Sequence, residues 1–245
     1  MSYPTAHRPA KEERGTTCVT RLQRPMTLSE FQKMFAHIYE EKNRRDYHKS
    51  SDLIQRLFEE GCVVMELARK DGRSMFRLQL PNIFSWWVAL ANRMEASLDE
   101  ALWYKFPGVC PYCMKTGCVC GLEHPEIGKE EKEMLLRRLR KERMNMPKTP
   151  EDHRILHARL YGAQNKRIML IQTAAHLVEE VGEVSAAMRH GNKKDFYDEM
   201  ADVGSWIFAL ATRLELVPFD NLVWEAYPYE CNMCRKDVCA CKFVI

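Results

Sequence analysis

The chain has 245 residues, enough for one or two domains, and its 46% hydrophobic and 29% charged residues are ordinary for a chain that folds around a buried core. Its formal net charge of +3 is too small to predict a nucleic-acid or membrane partner from electrostatic attraction alone. The sequence has neither a signal-peptide core nor an apolar run near the roughly 20 residues of a membrane span, so we expect a cytoplasmic protein without membrane contact.

The N-terminal part divides into a tail and a helix. Residues 1–25 carry little apolar pattern, and we expect a loose tail there. The next segment, TLSEFQKMFAHIYEEKNRR, offers Thr27 or Ser29 as a helix cap and continues with apolar residues at helical spacing. We predict an amphipathic helix.

The rest of the chain is a tandem duplication. Residues 57–95 align without a gap on residues 177–215, with 13 identities in 39 positions. One inserted residue later the match resumes, with LDEALWYKFPGVCPYCMKTGCVC over FDNLVWEAYPYECNMCRKDVCAC. A repeat of this length indicates two copies of one structural unit.

Each copy has the pattern of a helical hairpin. In the second copy apolar residues recur at helical spacing through Ile168–Met188 and Phe196–Leu216, and Gly191 and Asn192 supply a turn between them. A further helix is expected before each hairpin. We predict an all-α protein with a first unit at 26–121 and a second at 148–245.

The segment between the copies, residues 122–147, is rich in charge. It reads KEEKEMLLRRLRKERMNMPKTP near its end, with Pro147 and Pro150 as breaks. We predict an exposed, charged linker helix followed by a break.

Four carboxylates of the second copy are spaced to meet. Glu180 and Glu183 lie three apart in one predicted helix, and Glu199 and Asp202 lie three apart in its partner. Both pairs fall within the apolar stripe, so antiparallel packing would bring together four acids that repel one another unless a cation lies between them. Oxygen ligands beside a phosphate substrate suit Mg²⁺. The alternative is that the four acids are solvated residues on polar faces.

These residues resemble the signature of the MazG-like family of all-α nucleoside triphosphate pyrophosphohydrolases, which is Glu-Glu-x-x-Glu, a spacer and Glu-x-x-Asp. The second copy has EEVGE at 179–183 and EMAD at 199–202, and both copies continue into a short helix and a cysteine cluster, as many MazG-like chains do. The resemblance implies that an NTP or dNTP is hydrolysed to the monophosphate and pyrophosphate with catalytic Mg²⁺. It implies these roles: Glu180, Glu183, Glu199 and Asp202 as metal ligands, and Glu179 as the residue that orients water or a ligand.

The first copy departs from this signature. Glu59 and Glu60 are present, but Val63, Gln79 and Asn82 replace the other three acids. Pro81 is a further departure, because proline is expected at the start of a helix rather than inside it. The first copy therefore has the pattern of a retired catalytic unit. Because members of the family generally dimerise, the resemblance implies an intramolecular pseudo-dimer with one active site; further self-association is left open.

Three lysines are candidates for phosphate contact. Lys105 lies where MazG-like chains with this cysteine tail often have a lysine, and the second copy has Ala226 there. Lys105 could reach the site of the other copy. Lys193 and Lys194 lie in the hairpin turn. The alternative for all three is an exposed, solvated lysine.

Each copy ends in four cysteines within eleven residues, in the pattern of a small zinc-binding knuckle. One structural Zn²⁺ per copy is expected, because four protein ligands leave no open position for substrate. Disulfides and an iron–sulfur cluster are the alternatives. Cys18 and Cys62 are left over. The quartets are Cys110, Cys113, Cys118 and Cys120, and Cys231, Cys234, Cys239 and Cys241.

Three functional hypotheses follow. The first is an Mg²⁺-dependent pyrophosphohydrolase with its site in the second copy and a nucleoside triphosphate as substrate. The second is a nucleotide-sensing or partner-binding module that keeps the fold without turnover. The third, nucleic-acid binding by the zinc knuckles and the linker, is not favoured, because the linker mixes acids with bases.

Overall fold

The computed structural model describes residues 24–120 and 127–242. Over these residues the chain forms helices and no strand, which confirms the predicted all-α class. None of the described helices combines the length and the apolar character that crossing a bilayer requires. The predicted tail falls almost wholly on residues 1–23, which lie outside the described residues, as does Cys18.

The helices are α1 (Leu28–Asp46), α2 (Ser50–Arg69), α3 (Phe76–Arg93), α4 (Leu98–Lys105), α5 (Lys129–Lys141), α6 (Pro150–Asn165), α7 (Leu170–His190), α8 (Lys193–Arg213) and α9 (Phe219–Ala226).

The two repeats place their helices in the same order. In the first, α1 precedes the hairpin of α2 and α3 and the short α4; in the second, α6 precedes α7, α8 and the short α9. Both leading helices begin with a capping box. The hydroxyls of Thr27 and Thr149 accept hydrogen bonds from the backbone N–H groups of Glu30 and Asp152, whose carboxylates accept from the cap residues in return. Thr27, rather than Ser29, is the cap of α1.

The turn between α7 and α8 is fixed by two residues. Gly191 has a φ of 67°, a left-handed conformation that favours glycine, and ends α7. The side chain of Asn192 then accepts hydrogen bonds from the backbone N–H groups of Lys194 and Asp195, at 3.1 and 3.2 Å. The chain reverses here, and α7 and α8 pack against each other as the predicted hairpin.

Pro81 lies inside α3, so the expectation that it belongs at a helix start is wrong. The helix begins five residues earlier, at Phe76. Phe76 and Leu80 are fully buried, and this packing holds the first turn in place although proline cannot donate one of the helix hydrogen bonds.

The repeats share one core. Helix α2 packs along α7, the short α4 packs on α8 of the second repeat, and the short α9 packs on α3 of the first. At the centre, fully buried Trp87 donates from its indole N–H to the carbonyl oxygen of Met200, at 2.9 Å. Gly204 permits this approach, because a Cβ there would lie 2.7 Å from the Trp87 ring. Each repeat thus places its short helix against the hairpin of the other.

The predicted linker helix forms as α5 and is docked rather than free. Leu136 is buried beneath it. The Trp103 indole donates to the carbonyl oxygen of Arg140 at 3.1 Å, and the Arg140 guanidinium donates to the carbonyl oxygen of Tyr104 at 2.8 Å. Beyond its end, Arg143 pairs with Glu100. These contacts hold α5 against α4.

Candidate functional site

Three carboxylates converge where α7 packs on α8. Glu180 comes from α7, and Glu199 and Asp202 come from one face of α8. One oxygen of each lies within 4.8 Å of the others, and all three side chains are only partly exposed. Glu183, the fourth acid of the predicted set, is exposed one turn along α7 and lies outside this group.

Burial raises the pKa values of all three acids. Burial, followed by the nearby Asp202, raises the pKa of Glu180 to about 8. Burial and the same neighbour raise the pKa of Glu199 to about 7, although Lys105 opposes the shift. Burial also raises the pKa of Asp202, again against Lys105. Such a cluster favours a cation, because a positive charge between the acids would remove both the repulsion and the cost of burying charge.

Lys105 supplies one positive charge from the other repeat. It is the last residue of α4, its ammonium group donates to the Asp202 carboxylate, and it lies 3.2 Å from the carbonyl oxygen of Asp198. Burial disfavours the ammonium form, yet Asp202 raises the pKa of Lys105 overall, so the side chain stays charged. The solvated alternative for Lys105 does not describe this position.

Glu180 is also held by an aromatic pair. The Trp206 indole donates to a Glu180 carboxylate oxygen at 3.2 Å, and the His176 ring stacks on Trp206 with ring centres 4.7 Å apart. His176 in turn contacts Glu179, 2.6 Å from its Nδ1 atom to a carboxylate oxygen. Glu179 is exposed at the edge of the site.

The two turn lysines differ in position. Lys194 pairs with Asp198 and lines a cavity of about 500 Å³ that also contains Lys105 and Glu199. Lys193 is exposed, with its ammonium 5.8 Å from the Tyr197 ring centre, and it does not line this cavity.

Helix α5 closes one side of the same cavity with Lys132 and Arg140. The Arg140 guanidinium lies 3.6 Å from the Tyr104 ring centre, and Lys132 lies 5.3 Å from that of Tyr112. Both cations line the same cavity as Glu199. Sequence reasoning missed them, because nothing in the linker composition shows which of its many basic residues face the site.

The equivalent place in the first repeat carries a different set of contacts. Glu60, the counterpart of Glu180, is buried, and one of its oxygens accepts hydrogen bonds from the side-chain amides of Gln79 and Asn82, both at 2.7 Å. Its other oxygen accepts from Arg56 at 3.0 Å. Amide and guanidinium donors therefore occupy the place of a cation. The substitutions that distinguish the two copies satisfy Glu60 without a metal.

Both cysteine quartets have the spacing of a single-metal site. Four sulfurs at 2.3 Å from one zinc lie about 3.8 Å apart in a tetrahedron. The sulfurs of Cys110 and Cys120 are 3.9 Å apart, and those of Cys231 and Cys241 are 3.8 Å apart, far beyond a disulfide bond. All four thiols of each quartet are close enough to share one ion. The two clusters can therefore bind zinc.

Backbone N–H groups lower the pKa of one thiol in each quartet. Burial would raise the pKa of Cys113, but the N–H groups of Val119 and Lys115 lower it to about 7. Cys234 has the same arrangement, with a pKa of about 6. A lowered pKa favours the thiolate, which is the form that binds zinc. Cys62 belongs to neither quartet.

Each cysteine knuckle is attached to the leading helix of the other repeat. The Cys118 N–H donates to the carbonyl oxygen of Leu160 in α6, at 2.7 Å, and the Cys239 N–H donates to that of Ile38 in α1, at 2.8 Å. Arg45 of α1 adds a bond to the carbonyl oxygen of Cys241, at 3.0 Å. The knuckles thus tie the repeats together at two equivalent places.

Comparison of the chain with protein-family models, with curated proteins and with solved structures found no match. The assignment of a function therefore rests on the residues and contacts described above.

Proposed function

We propose that this chain is a MazG-like, Mg²⁺-dependent nucleoside triphosphate pyrophosphohydrolase with one active site, in the second repeat. The observation that carries the proposal is the convergence of Glu180, Glu199 and Asp202 with Lys105 of the other repeat. The products would be a nucleoside monophosphate and pyrophosphate.

The packing of the repeats supports an intramolecular pseudo-dimer. Two repeats with the same helix order exchange equivalent contacts: α4 packs on α8 and α9 packs on α3, and each knuckle is attached to the other repeat. In such an arrangement each site is walled by both copies. Lys105 at the second-repeat site is an example, because the lysine that this repeat lacks at Ala226 is contributed by the first.

The carboxylate cluster fits Mg²⁺. Oxygens bound to Mg²⁺ at about 2.1 Å in an octahedron lie roughly 3 to 4 Å apart, and one oxygen of each of these three acids lies within 4.8 Å of the others. Glu180, Glu199 and Asp202 would hold the ion, with Glu183 as a further ligand from the next turn of α7. When bound, Mg²⁺ would polarise the phosphoryl oxygens and neutralise charge on the leaving pyrophosphate.

The remaining residues of the site have defined tasks in this proposal. Water attacks the α-phosphorus, the bond from that phosphorus to the bridging oxygen breaks, and pyrophosphate leaves with that oxygen. Glu179, held by His176, would orient the water, which loses its proton to a nearby carboxylate. Lys105 would turn from Asp202 to the triphosphate, and Lys132, Arg140 and Lys194 would meet its outer phosphates.

A pyrophosphate-release assay with Mg²⁺ and a panel of NTPs and dNTPs tests the proposal. Glu199→Gln copies the residue that the first repeat already has at Gln79, and we expect it to lower the rate at least a hundredfold. Gln79→Ala is the matched control in the first repeat and should keep the rate within about twofold. No release from the wild-type protein with any nucleotide would overturn the enzyme proposal.

The second candidate is a nucleotide-sensing or partner-binding module without turnover. The observation that favours it is the first-repeat site, where amides have replaced the acids and the fold is retained. Nucleotide binding by calorimetry, without pyrophosphate release, would support this function over the first.

A further inference from the structure

The first-repeat site is a cavity, although it has lost its acids. Its volume is about 680 Å³, within the range of small-molecule sites. Its walls come from both repeats: Tyr39, Arg56 and Trp86 from the first, and Tyr227 and Asn232 from the second. Four lining residues, Glu60, Gln79, Asn82 and Trp86, are the counterparts of Glu180, Glu199, Asp202 and Trp206. Duplication has therefore left two related cavities of different chemistry.

The charge at this cavity differs from that at the equivalent positions of the second repeat. Three cations line it, Lys42, Arg56 and Arg235, against two acids, Glu60 and Glu225; Lys42 also pairs with Asp46, and Arg56 with Glu59. The equivalent positions of the second repeat have two cations against four acids: Arg159 and Lys105, and Glu180, Asp198, Glu199 and Asp202. Outside these equivalent positions, Lys132, Arg140 and Lys194 add cations beside Glu199. Cations that line a cavity attract an anion directly, whereas the cluster of acids at Glu180, Glu199 and Asp202 requires a metal ion first.

At Glu60 the cavity no longer needs a metal, although Cys231, Cys239 and Cys241 of the second knuckle also line it. Both oxygens of Glu60 are occupied, by the amides of Gln79 and Asn82 and by Arg56. The Tyr227 hydroxyl lies 3.3 Å from the Asn82 side-chain oxygen and accepts a hydrogen bond from the Asn232 amide at 3.1 Å. The hydrogen bonds among Tyr227, Asn82 and Asn232 join neutral groups and hold these side chains in place at the base of the cavity.

Aromatic groups offer a surface for a base. Trp86 is half-buried, and the Arg56 guanidinium lies 5.2 Å from its ring centre. Tyr39 is half-buried and its hydroxyl lies 3.4 Å from the Asn232 side-chain oxygen. Aromatic faces with amides at their edges are the usual means of holding a nucleobase.

We propose that the first-repeat cavity binds a nucleoside monophosphate without a metal ion. The aromatic faces hold the base, and the excess of cations holds one phosphate group. A triphosphate is less suitable, because three phosphates without Mg²⁺ carry more negative charge than this cavity balances. If the second repeat is the proposed pyrophosphohydrolase, the monophosphate bound in the first-repeat cavity is the product of the second-repeat site, and the first-repeat cavity senses that product. This regulatory role rests on the proposed function, whereas the binding of a monophosphate does not.

Calorimetry in Mg²⁺-free buffer tests the binding, with AMP, GMP, CMP, UMP and their deoxy forms as ligands. We expect one of them to bind at one site per chain, with an affinity that added Mg²⁺ does not change. The corresponding nucleoside and inorganic phosphate should each bind at least tenfold more weakly, because each lacks one half of the recognised group.

Variants at equivalent positions locate the ligand. Ala226→Glu places a carboxylate in the wall of the first-repeat cavity and should weaken binding at least tenfold, whereas Ala226→Gln, of the same size but uncharged, should weaken it less than threefold. Lys105→Glu makes the equivalent change in the other cavity and should leave this binding intact. Thermal melting of all three variants checks that each is folded.

The outcomes separate the two proposals. No binding of any monophosphate, or binding that Lys105→Glu removes and Ala226→Glu leaves intact, would overturn the first-repeat site. Pyrophosphate release is measured separately on the same proteins. Metal-free binding in a protein that releases no pyrophosphate would support this site and overturn only the proposed activity.

Discussion

Lys105 of the first repeat donates a hydrogen bond to Asp202 of the second. At the equivalent place in the other half the partners are Ala226 and Asn82, and neither carries a charge. Of these two equivalent positions, the one with Lys105 and Asp202 has a charged contact, and the one with Ala226 and Asn82 does not. The lysine comes from one repeat and the acid from the other, so this contact joins the two repeats.

Replacing Lys105 by methionine tests this relationship. In Mg²⁺-free buffer we expect Lys105→Met to lower the free energy of unfolding by about 2 kcal/mol, because a partly buried acid loses its partner. Added Mg²⁺ should raise the melting temperature of the variant more than that of the wild type, since the acids then have no other cation. Pyrophosphate release should fall at least tenfold.

Lys115→Met, on the exposed surface of the first knuckle, is the control and should change neither melting nor release. Equal stabilisation of Lys105→Met and the wild type by Mg²⁺ would contradict a metal site beside Asp202.

The helical class and the main site residues could be predicted because they depend on local pattern. The hairpin of α7 and α8 follows from apolar spacing and from Gly191 and Asn192, and a three-residue spacing places Glu199 and Asp202 on one face of α8. Glu183 shows the limit of this reasoning. The same spacing places it one turn along α7 from Glu180, and its charge contributes to the raised pKa of Glu180, but it is exposed and lies outside the group of three acids, because tertiary packing sets how far each acid is buried.

Loss of one zinc should loosen the opposite repeat. The second knuckle is attached to α1 through the Cys239 N–H, so Cys234→Ser should increase amide hydrogen exchange in α1 while leaving α6 protected. The first knuckle is attached to α6, so Cys113→Ser should have the reverse effect.

Elemental analysis should find two zinc ions per wild-type chain and one in each of these variants. Cys62→Ser, outside both quartets, is the control and should keep two. Exchange that increases in the leading helix of the same repeat would contradict the crossed attachment.

The docking of α5 could not be predicted from the sequence. A segment of alternating acids and bases has the composition of a solvated helix, and its contact with α4 depends on Leu136 and on Trp103, which donates to a backbone carbonyl oxygen far along the chain. A backbone carbonyl oxygen can accept a hydrogen bond whatever side chain its residue has, so the sequence does not show which residue is the acceptor. The basic wall of the second-repeat site was missed for this reason.

Two glycines in the hairpin of α7 and α8 should respond oppositely to alanine. A Cβ at Gly204 would lie 2.7 Å from the Trp87 ring and 3.2 Å from Leu102, so Gly204→Ala should lower the free energy of unfolding by about 1 to 3 kcal/mol. Gly182 in α7 has open space around it, and Gly182→Ala should raise stability by about 0.5 to 1 kcal/mol, because alanine is the better helix former. Denaturant unfolding measures both, and a stabilising Gly204→Ala would contradict the close packing of α3 on α8.

His157 should make stability depend on pH. It is buried beside Phe106 and Phe208, and burial lowers its pKa to about 3, although a hydrogen bond to the carbonyl oxygen of His153 opposes the shift. Below the ordinary histidine pKa of about 6.5, His157 binds a proton in the unfolded chain but not in the folded chain. The contribution of His157 to the free energy of unfolding is therefore fully present above that pH and is lost as the pH falls. Between pH 7 and pH 5.5 we expect this group to cost about 1 kcal/mol of unfolding free energy. His157→Leu should flatten the profile by that amount. Parallel profiles for His157→Leu and the wild type would show instead that His157 titrates alike in the folded and unfolded protein.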